Sequence, residues 1–188
     1  MRCSVVPMSD LTFREISATD IVSPLFAGIQ RHQHVTRVVA RDGSTGEWVE
    51  QPADYVDDWD AETIRSLTPY VRNTADTGGL VLGAFDDEDV LVAFVTAESD
   101  PMGAAGDYLE LTALHVSEEL RGRHIGRQLF LRAAHWARER GATKLFLSTN
   151  PAIETQRFYE GLGCVDATEP LVPHGVPDPR DRPLEYVL

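Results

Sequence analysis

Arginine and glycine are concentrated in one short segment of the 188-residue chain. The segment at 120–129 reads LRGRHIGRQL and separates a β-prone run from a stretch with helical periodicity. Free N–H groups and the dipole at the start of a helix attract anions, and glycine lets a ligand approach the backbone closely. Arginine adds charge-assisted hydrogen bonds. The segment therefore predicts a binding site for a pyrophosphate group.

The charge and spacing of this segment narrow the candidate ligands. Residues 121–144 carry seven basic side chains and one acidic side chain, although the whole chain has a net charge of −13. The glycines here are not followed by Gly-Lys-Ser/Thr and do not form G-x-G-x-x-G, which excludes a P-loop and a dinucleotide fingerprint. A bound polyanion accounts for the basic segment, and a solvated arginine-rich helix face is the alternative.

Two motifs together resemble the GCN5-related N-acetyltransferases (GNAT). LHVSEELRGRHIGRQL is similar to the strand–turn–helix that carries the family's acyl-CoA signature, Gln/Arg-x-x-Gly-x-Gly/Ala. Arg121 and Gly126 match its first and last positions, whereas His124 stands where the family has glycine. RFYEGLGC at 157–164 resembles the family's closing motif R-F-Y-x-x-L-G-[FC]. The chain is similar to a poorly characterised bacterial branch with an N-terminal hairpin insertion.

The resemblance implies acetyl-CoA as co-substrate and no metal ion. In the family the pantetheine arm lies between two splayed parallel strands and pairs with the edge of the fourth strand. A backbone N–H of that strand would stabilise the tetrahedral oxyanion. The family often contacts CoA through an Asn in the slot held here by Ala152, and Asn150 is the nearest equivalent. The expected acetyl-CoA contacts are Leu114, His115, Val116, Arg121, Gly122, Arg123, His124, Ile125, Gly126, Arg127, Asn150 and Tyr159.

Acetyl transfer also needs a base and a proton donor, because an alkyl amine is mostly protonated near neutral pH. The resemblance implies that Tyr159 donates a proton to the leaving thiolate or contacts the thiol, and that Glu110 is the base. Glu154 is a second candidate base. His32 and His34 lie in the region that usually shapes the acceptor site.

These residues require a strand–helix–strand unit to position them. A strand at 108–116, a helix beginning at Ile125 and a strand at 145–148 predict a parallel pair with a right-handed crossover. We expect an α+β fold, a three-layer α/β/α sandwich whose mixed sheet is mostly antiparallel with one splayed parallel pair. The other expected elements are strands at 11–16, 80–85, 90–97, 165–168 and 184–188, a hairpin at 34–51, and helices at 21–29 after an Asp20 cap, 57–73 and 150–162 after an Asn150 cap. The segment at 170–183 holds five of the eleven prolines and is expected to be a stiff irregular loop.

Length and composition predict one domain over 1–188. Residues 10–75 are assigned to the acceptor side and 80–168 to the acyl-CoA core. The negative charge argues against nucleic acid or an anionic membrane as partner, and no apolar run is long enough to span a membrane. The start lacks a signal-peptide pattern, and Cys3 and Cys164 are too far apart for a disulfide framework or zinc spacing. A cytoplasmic location is expected.

The leading hypothesis is an N-acetyltransferase that acts on a primary amine of a small molecule by direct attack in a ternary complex. The acidic surface favours a cationic acceptor. One alternative is a protein or peptide N-acetyltransferase. Another is a catalytically degenerate acyl-CoA-binding protein, in which His124 obstructs the turn. A homodimer stays open, because no interface motif is visible in the sequence.

Overall fold

The computed structural model describes residues 11–174 and 178–188. The expectations about the N-terminal segment with Cys3, and part of the Pro-rich segment at 170–183, lie outside the described residues. Within them the elements are β1 Thr12–Glu15, β2 His32–Arg41, β3 Trp48–Asp58, α1 Ala61–Asp76, β4 Leu80–Phe85, β5 Leu91–Ala97, β6 Tyr108–Val116, α2 Ile125–Glu139, β7 Lys144–Thr149, α3 Ile153–Glu160, β8 Val165–Asp166 and β9 Arg182–Val187. In this part of the chain, no helix is long and apolar enough to cross a membrane.

Seven of the strands form one mixed sheet in the order β1-β4-β5-β6-β7-β9-β8. Among the described residues, every neighbouring pair in this sheet is antiparallel except β6 and β7. Helix α2 covers one face through a large apolar cluster, and α1 covers the other face through a second cluster. The predicted α+β class, with a mostly antiparallel sheet and one parallel pair, is confirmed.

The parallel pair separates soon after it begins. Strands β6 and β7 pair only from Tyr108 to Glu110, opposite Lys144 to Phe146, although β6 continues to Val116. On its other edge β6 remains paired with β5, with a shift of register near Leu111. Among residues 11–174 and 178–188, one edge of β6 beyond Glu110 therefore has no strand partner, and a V-shaped opening lies between β6 and β7.

Helix α2 follows from its apolar spacing. The predicted core positions Ile125, Leu129, Ala133, Trp136 and Ala137 are all buried, which confirms the helical face. Gly141 adopts a φ of +86° directly after the helix, the left-handed conformation that glycine takes without steric cost at a helix C-terminus.

Two predicted helix starts are wrong. The segment predicted as a helix at 21–29 contains only a 3-10 helix from Ser23 to Gly28, and its cap residue is Val22. The carboxylate of Asp20 instead accepts a hydrogen bond from Ser17. Helix α3 begins at Ile153, and Asn150 lies outside it, where its Oδ1 accepts the N–H of Ala152. A side chain suited to capping acts as a cap only where the following residues turn into a helix.

Helix α1 begins later than the predicted 57–73 because β3 continues through Asp58. Asp60 is its cap, and Asp60 Oδ1 accepts the N–H of Thr63 at 2.8 Å. Extended pairing of β3 with β2 therefore overrides the helical pattern at the start of that segment.

Strands β2 and β3 form a separate two-stranded sheet, longer than the hairpin predicted at 34–51. This hairpin bridges the opening between β6 and α3. Just before the hairpin begins, the carbonyl of Gln30 accepts the N–H of Glu118, two residues after the end of β6, at 2.9 Å. Further along, Val39 N–H donates to the carbonyl of Pro151 at the start of α3, at 2.8 Å.

Candidate active site

A cleft of about 1200 Å³ lies between the C-terminal half of β6 and helix α3, where β6 has separated from β7. It is large enough for an extended ligand arm. The free edge of β6, the turn before α2, one side of α3 and the first residues of β2 form its walls. The lining residues are Arg31, His32, Gln33, His34, Leu114, His115, Val116, Glu118, Leu120, Arg121, Gly122, His124, Ile125, Gly126, Arg127, Glu154, Thr155, Phe158, Tyr159, Gly161 and Leu162.

The turn before α2 uses left-handed backbone at two positions. Gly122 has a φ of +76° and His124 has a φ of +61°. His124 is the residue immediately before the helix, and its side chain makes no capping hydrogen bond. This conformation explains a glycine at the fourth signature position, although histidine is among the residue types that tolerate it better. The exposed imidazole lies on the cleft wall, beside the first turn of α2.

Gly126 lets two walls of the cleft approach each other. A Cβ at this position would lie 3.2 Å from Phe158 Cζ on α3 and 3.4 Å from Leu114 Cδ2 on β6. The first turn of α2 therefore contacts both sides of the opening. The match of Gly126 to the signature has a packing reason in addition to ligand approach.

The three arginines of the turn differ in their position relative to the cleft. Arg121 lines the cleft, and its guanidinium donates to the carbonyls of His32 at 3.1 Å and Val116 at 3.4 Å. Burial and the charge of Arg31 lower the pKa of Arg121. Arg127 also lines the cleft, whereas Arg123 is not among the lining residues.

Arg31 is a cleft residue that the sequence reasoning missed. Its guanidinium forms an ion pair with Asp57 and lies above the ring of Trp59. Its Nη1 lies 3.3 Å from His115 Nδ1. No local motif marks Arg31, because its partner His115 is 84 residues away along the chain.

His115 is held as a neutral ring on β6. Arginine can only donate, so the imidazole Nδ1 accepts the hydrogen bond from Arg31. Burial, together with the charges of Arg31 and Arg121, lowers the pKa of His115 well below its ordinary value. The side chain of His115 therefore serves in packing, and its backbone belongs to the free edge of β6.

Tyr159 lies on the α3 wall, with only 7% of its surface exposed. Its ring packs edge-to-face against Phe158, with ring centroids 5.0 Å apart. Burial, with a smaller contribution from Cys164, raises the pKa of Tyr159 far above that of a free phenol. The hydroxyl stays protonated at physiological pH, so it is suited to donate a hydrogen bond and is a weak acid.

Glu110 is buried at the closed end of the opening, where β6 and β7 are last paired. Its Oε2 accepts the backbone N–H of His174 at 2.7 Å and lies 2.6 Å from the ring Nδ1 of the same residue. Burial raises the pKa of Glu110, and the contacts with His174 oppose that rise. The Pro-rich segment around His174 is visible in the sequence, but no motif marks this histidine as a site residue.

Three of the predicted site residues, Glu110, Arg123 and Asn150, do not line the cleft. The carbonyl of Asn150 accepts from the amide of Gln156. Glu154 and His32 line it, as does His34, whose ring contacts Asp54 at 2.7 Å.

Comparison with known proteins places this geometry in a family. The model of the Acetyltransferase (GNAT) family matches residues 42–164. Among curated proteins, no sequence is significantly similar.

Several solved structures share the fold at low sequence identity. Nourseothricin acetyltransferase is 19% identical with a TM-score of 0.64, over 93% of this chain and 95% of that one. A Bacillus anthracis protein assigned as a streptothricin acetyltransferase, in complex with acetyl coenzyme A, is 14% identical with a TM-score of 0.64, over 95% and 100%. An aminoglycoside 6'-N-acetyltransferase complexed with coenzyme A is 20% identical with a TM-score of 0.52, over 65% and 79%.

Proposed function

The chain belongs to the acetyltransferase (GNAT) family and is an N-acetyltransferase, and we propose that it transfers the acetyl group of acetyl-CoA to a primary amine of a small molecule. The observation that carries this proposal is the unpaired edge of β6 leading directly into the basic, glycine-containing turn before α2. Transfer occurs by direct attack of the amine in a ternary complex.

The walls of the cleft suit the two chemically different parts of acetyl-CoA. The pyrophosphate binds the N–H groups of the first turn of α2, at Ile125 to Arg127, together with the guanidinium groups of Arg121 and Arg127. The pantetheine arm pairs with the free backbone edge at Leu114–Val116 as an added strand would. The apolar rings of Phe158 and Tyr159 enclose the arm on the α3 side.

The reaction needs three tasks from this chain. The amine loses its proton to a base at the closed end of the opening, where Glu110 lies. A backbone N–H of the β6 edge stabilises the oxyanion of the tetrahedral intermediate. When the carbon–sulfur bond breaks, its electron pair goes to sulfur, and the protonated hydroxyl of Tyr159 donates a hydrogen bond to the departing thiolate.

A cationic acceptor is favoured by charge. The chain carries a net charge of −13, and the carboxylate of Glu154 on α3 lines the cleft, whereas Asp57 is already paired with Arg31. Two proteins of similar fold are named as acetyltransferases of nourseothricin and of aminoglycosides. A cytoplasmic location, a homodimer and the assignment of residues 10–75 to acceptor binding stay predictions.

The test begins with acetyl-CoA binding measured by calorimetry, followed by thiol release with polyamines, aminoglycosides and lysine-containing peptides. We expect micromolar acetyl-CoA binding and turnover with a small cationic amine. Turnover with peptides alone would favour the protein acetyltransferase reading. Tight binding without turnover of any amine would favour the degenerate acyl-CoA-binding protein. No binding would contradict the proposed site for acetyl-CoA.

A further inference from the structure

His174 and Glu110 form a closely spaced pair, and the proposed function gives no role to His174. The carboxylate is 3% exposed and the imidazole is 32% exposed, so the ring covers the buried carboxylate and retains access to solvent. Both hydrogen bonds from His174 fall on the same oxygen of Glu110. An ionised Glu110 carboxylate can only accept, so in that state the ring Nδ1 donates to Oε2 and carries the proton. A neutral ring then has its lone pair on Nε2.

The pair lies beyond the residues that line the cleft, at the closed end of the opening toward which the free edge of β6 leads. The turn that binds pyrophosphate follows the C-terminal end of β6, so a pantetheine arm runs back along Val116 and Leu114 toward Glu110. At about 3.3 Å per strand residue, Glu110 is about 13 Å along β6 from Leu114. The reacting end of the arm therefore points at the closed end of the opening, where His174 lies against Glu110.

We propose that Nε2 of His174 takes the proton from the acceptor amine, and that Glu110 is a positioning residue that orients the ring. This inference rests on the proposed function and replaces the assignment of Glu110 as the direct base. As the carbon–nitrogen bond forms, the nitrogen proton moves to Nε2 and gives an imidazolium paired with the Glu110 carboxylate. The carbon–sulfur bond then breaks with its electron pair on sulfur, and the imidazolium returns its proton to solvent.

The surroundings of the pair suit this division of roles. Glu98, which follows the last residue of β5, is the neighbouring acid, and its N–H donates to the carbonyl of Glu110 at 2.9 Å. The carboxylate of Glu98 accepts from the hydroxyl of Thr74 at 2.7 Å. The carboxylate of Glu110 lies 2.6 Å from Nδ1 of His174, where it can pair with the imidazolium that forms during proton transfer.

The experiment uses the full chain, acetyl-CoA and the amine found to be turned over. His174→Gln retains a donor for Glu110 but cannot accept a proton. We expect it to lower kcat by about 10²–10⁴-fold, with the KM for acetyl-CoA unchanged. His174→Ala leaves room beside Glu110, and added imidazole should restore part of its turnover. His135→Gln is the matched control, since His135 is exposed on α2 and pairs only with Glu139 among the described residues.

Two readouts separate a base from a loop anchor. Retention of wild-type kcat by His174→Gln, or lack of imidazole rescue in an inactive His174→Ala, would overturn the proposal. Imidazole ¹⁵N NMR should find the neutral His174 ring protonated on Nδ1, and a proton on Nε2 would also overturn it. If the wild type turns over no amine, the proposed function itself is wrong, a result distinct from activity lost only in the His174 variants.

Discussion

Replacing His124 by glycine tests whether the turn before α2 is held in a left-handed conformation. His124 has a φ of +61° and a ψ of 12°. In this left-handed conformation the Cβ of an L-residue causes a steric strain of roughly 1–2 kcal/mol. Glycine removes that strain, but its greater conformational entropy stabilises the unfolded chain by about 0.4–1 kcal/mol. We therefore expect His124→Gly to stabilise the folded protein by about 0.5–1 kcal/mol, or roughly 1–4 °C in Tm.

Thermal unfolding followed by circular dichroism measures this difference. His124→Ala separates strain from side-chain loss, because alanine keeps the Cβ and should give no stabilisation. Gly122→Ala is the inverse control. Its Cβ would meet no atom within 4 Å, but its φ is +76°, so its cost of roughly 1–2 kcal/mol would come from the backbone alone. A lower Tm for His124→Gly than for the wild type would refute the reasoning.

The same variant also reports on ligand binding. The imidazole of His124 lies on the wall of the cleft beside the proposed pyrophosphate site. We expect His124→Gly to bind acetyl-CoA at least as tightly as the wild type by calorimetry. Binding by the variant alone would indicate that His124 obstructs the turn and would support the degenerate reading.

Three further changes probe the walls of the cleft and the core. Gly126→Ala places a Cβ 3.2 Å from Phe158; because the acyl-CoA signature also accepts alanine at this position, we expect acetyl-CoA affinity in calorimetry to change by less than about tenfold while Tm falls by a few degrees, and loss of binding would show that the Phe158 ring cannot shift. Tyr159→Phe should lower kcat at least tenfold with acetyl-CoA affinity retained, and unchanged kcat would leave the ring a packing role only. Burial raises the pKa of Cys164 to about 12, so at pH 8 only about one thiol in 10⁴ is ionised. In a Cys3→Ser background, iodoacetamide should label Cys164 only after denaturant unfolds the chain, and rapid labelling of the native protein would show that the site is open.

Local sequence patterns predicted the parts of the fold that depend on residues close together along the chain. The apolar spacing of α2 and the glycine at 141 act within a few residues, so the helix and its end are readable from the sequence. The turn from β6 into α2 was also readable, because its glycines and arginines are contiguous. The predictions of helix caps were less accurate. The side chain of Asp20 accepts from the hydroxyl of Ser17, and that of Asn150 accepts from the N–H of Ala152, so neither caps a helix.

The parts of the site that were missed depend on contacts between distant segments. His174 reaches Glu110 across 64 residues, and Arg31 reaches His115 across 84 residues. Neither pair has a fixed spacing, and both depend on how the hairpin and the segment after β8 fold over the sheet. A histidine in a Pro-rich segment carries no signal until a buried carboxylate is found beside it.

The hairpin that joins β6 to α3 has a consequence for the thermodynamics of binding. It connects the two separated halves of the sheet through the bonds from Glu118 to Gln30 and from Val39 to Pro151, and so acts as a spacer that fixes the distance between them. The opening between β6 and β7 is formed when the chain folds, so a ligand does not have to separate these strands in order to bind. The entropy lost on binding then falls mainly on the long, flexible ligand, which is the condition for a preorganised receptor.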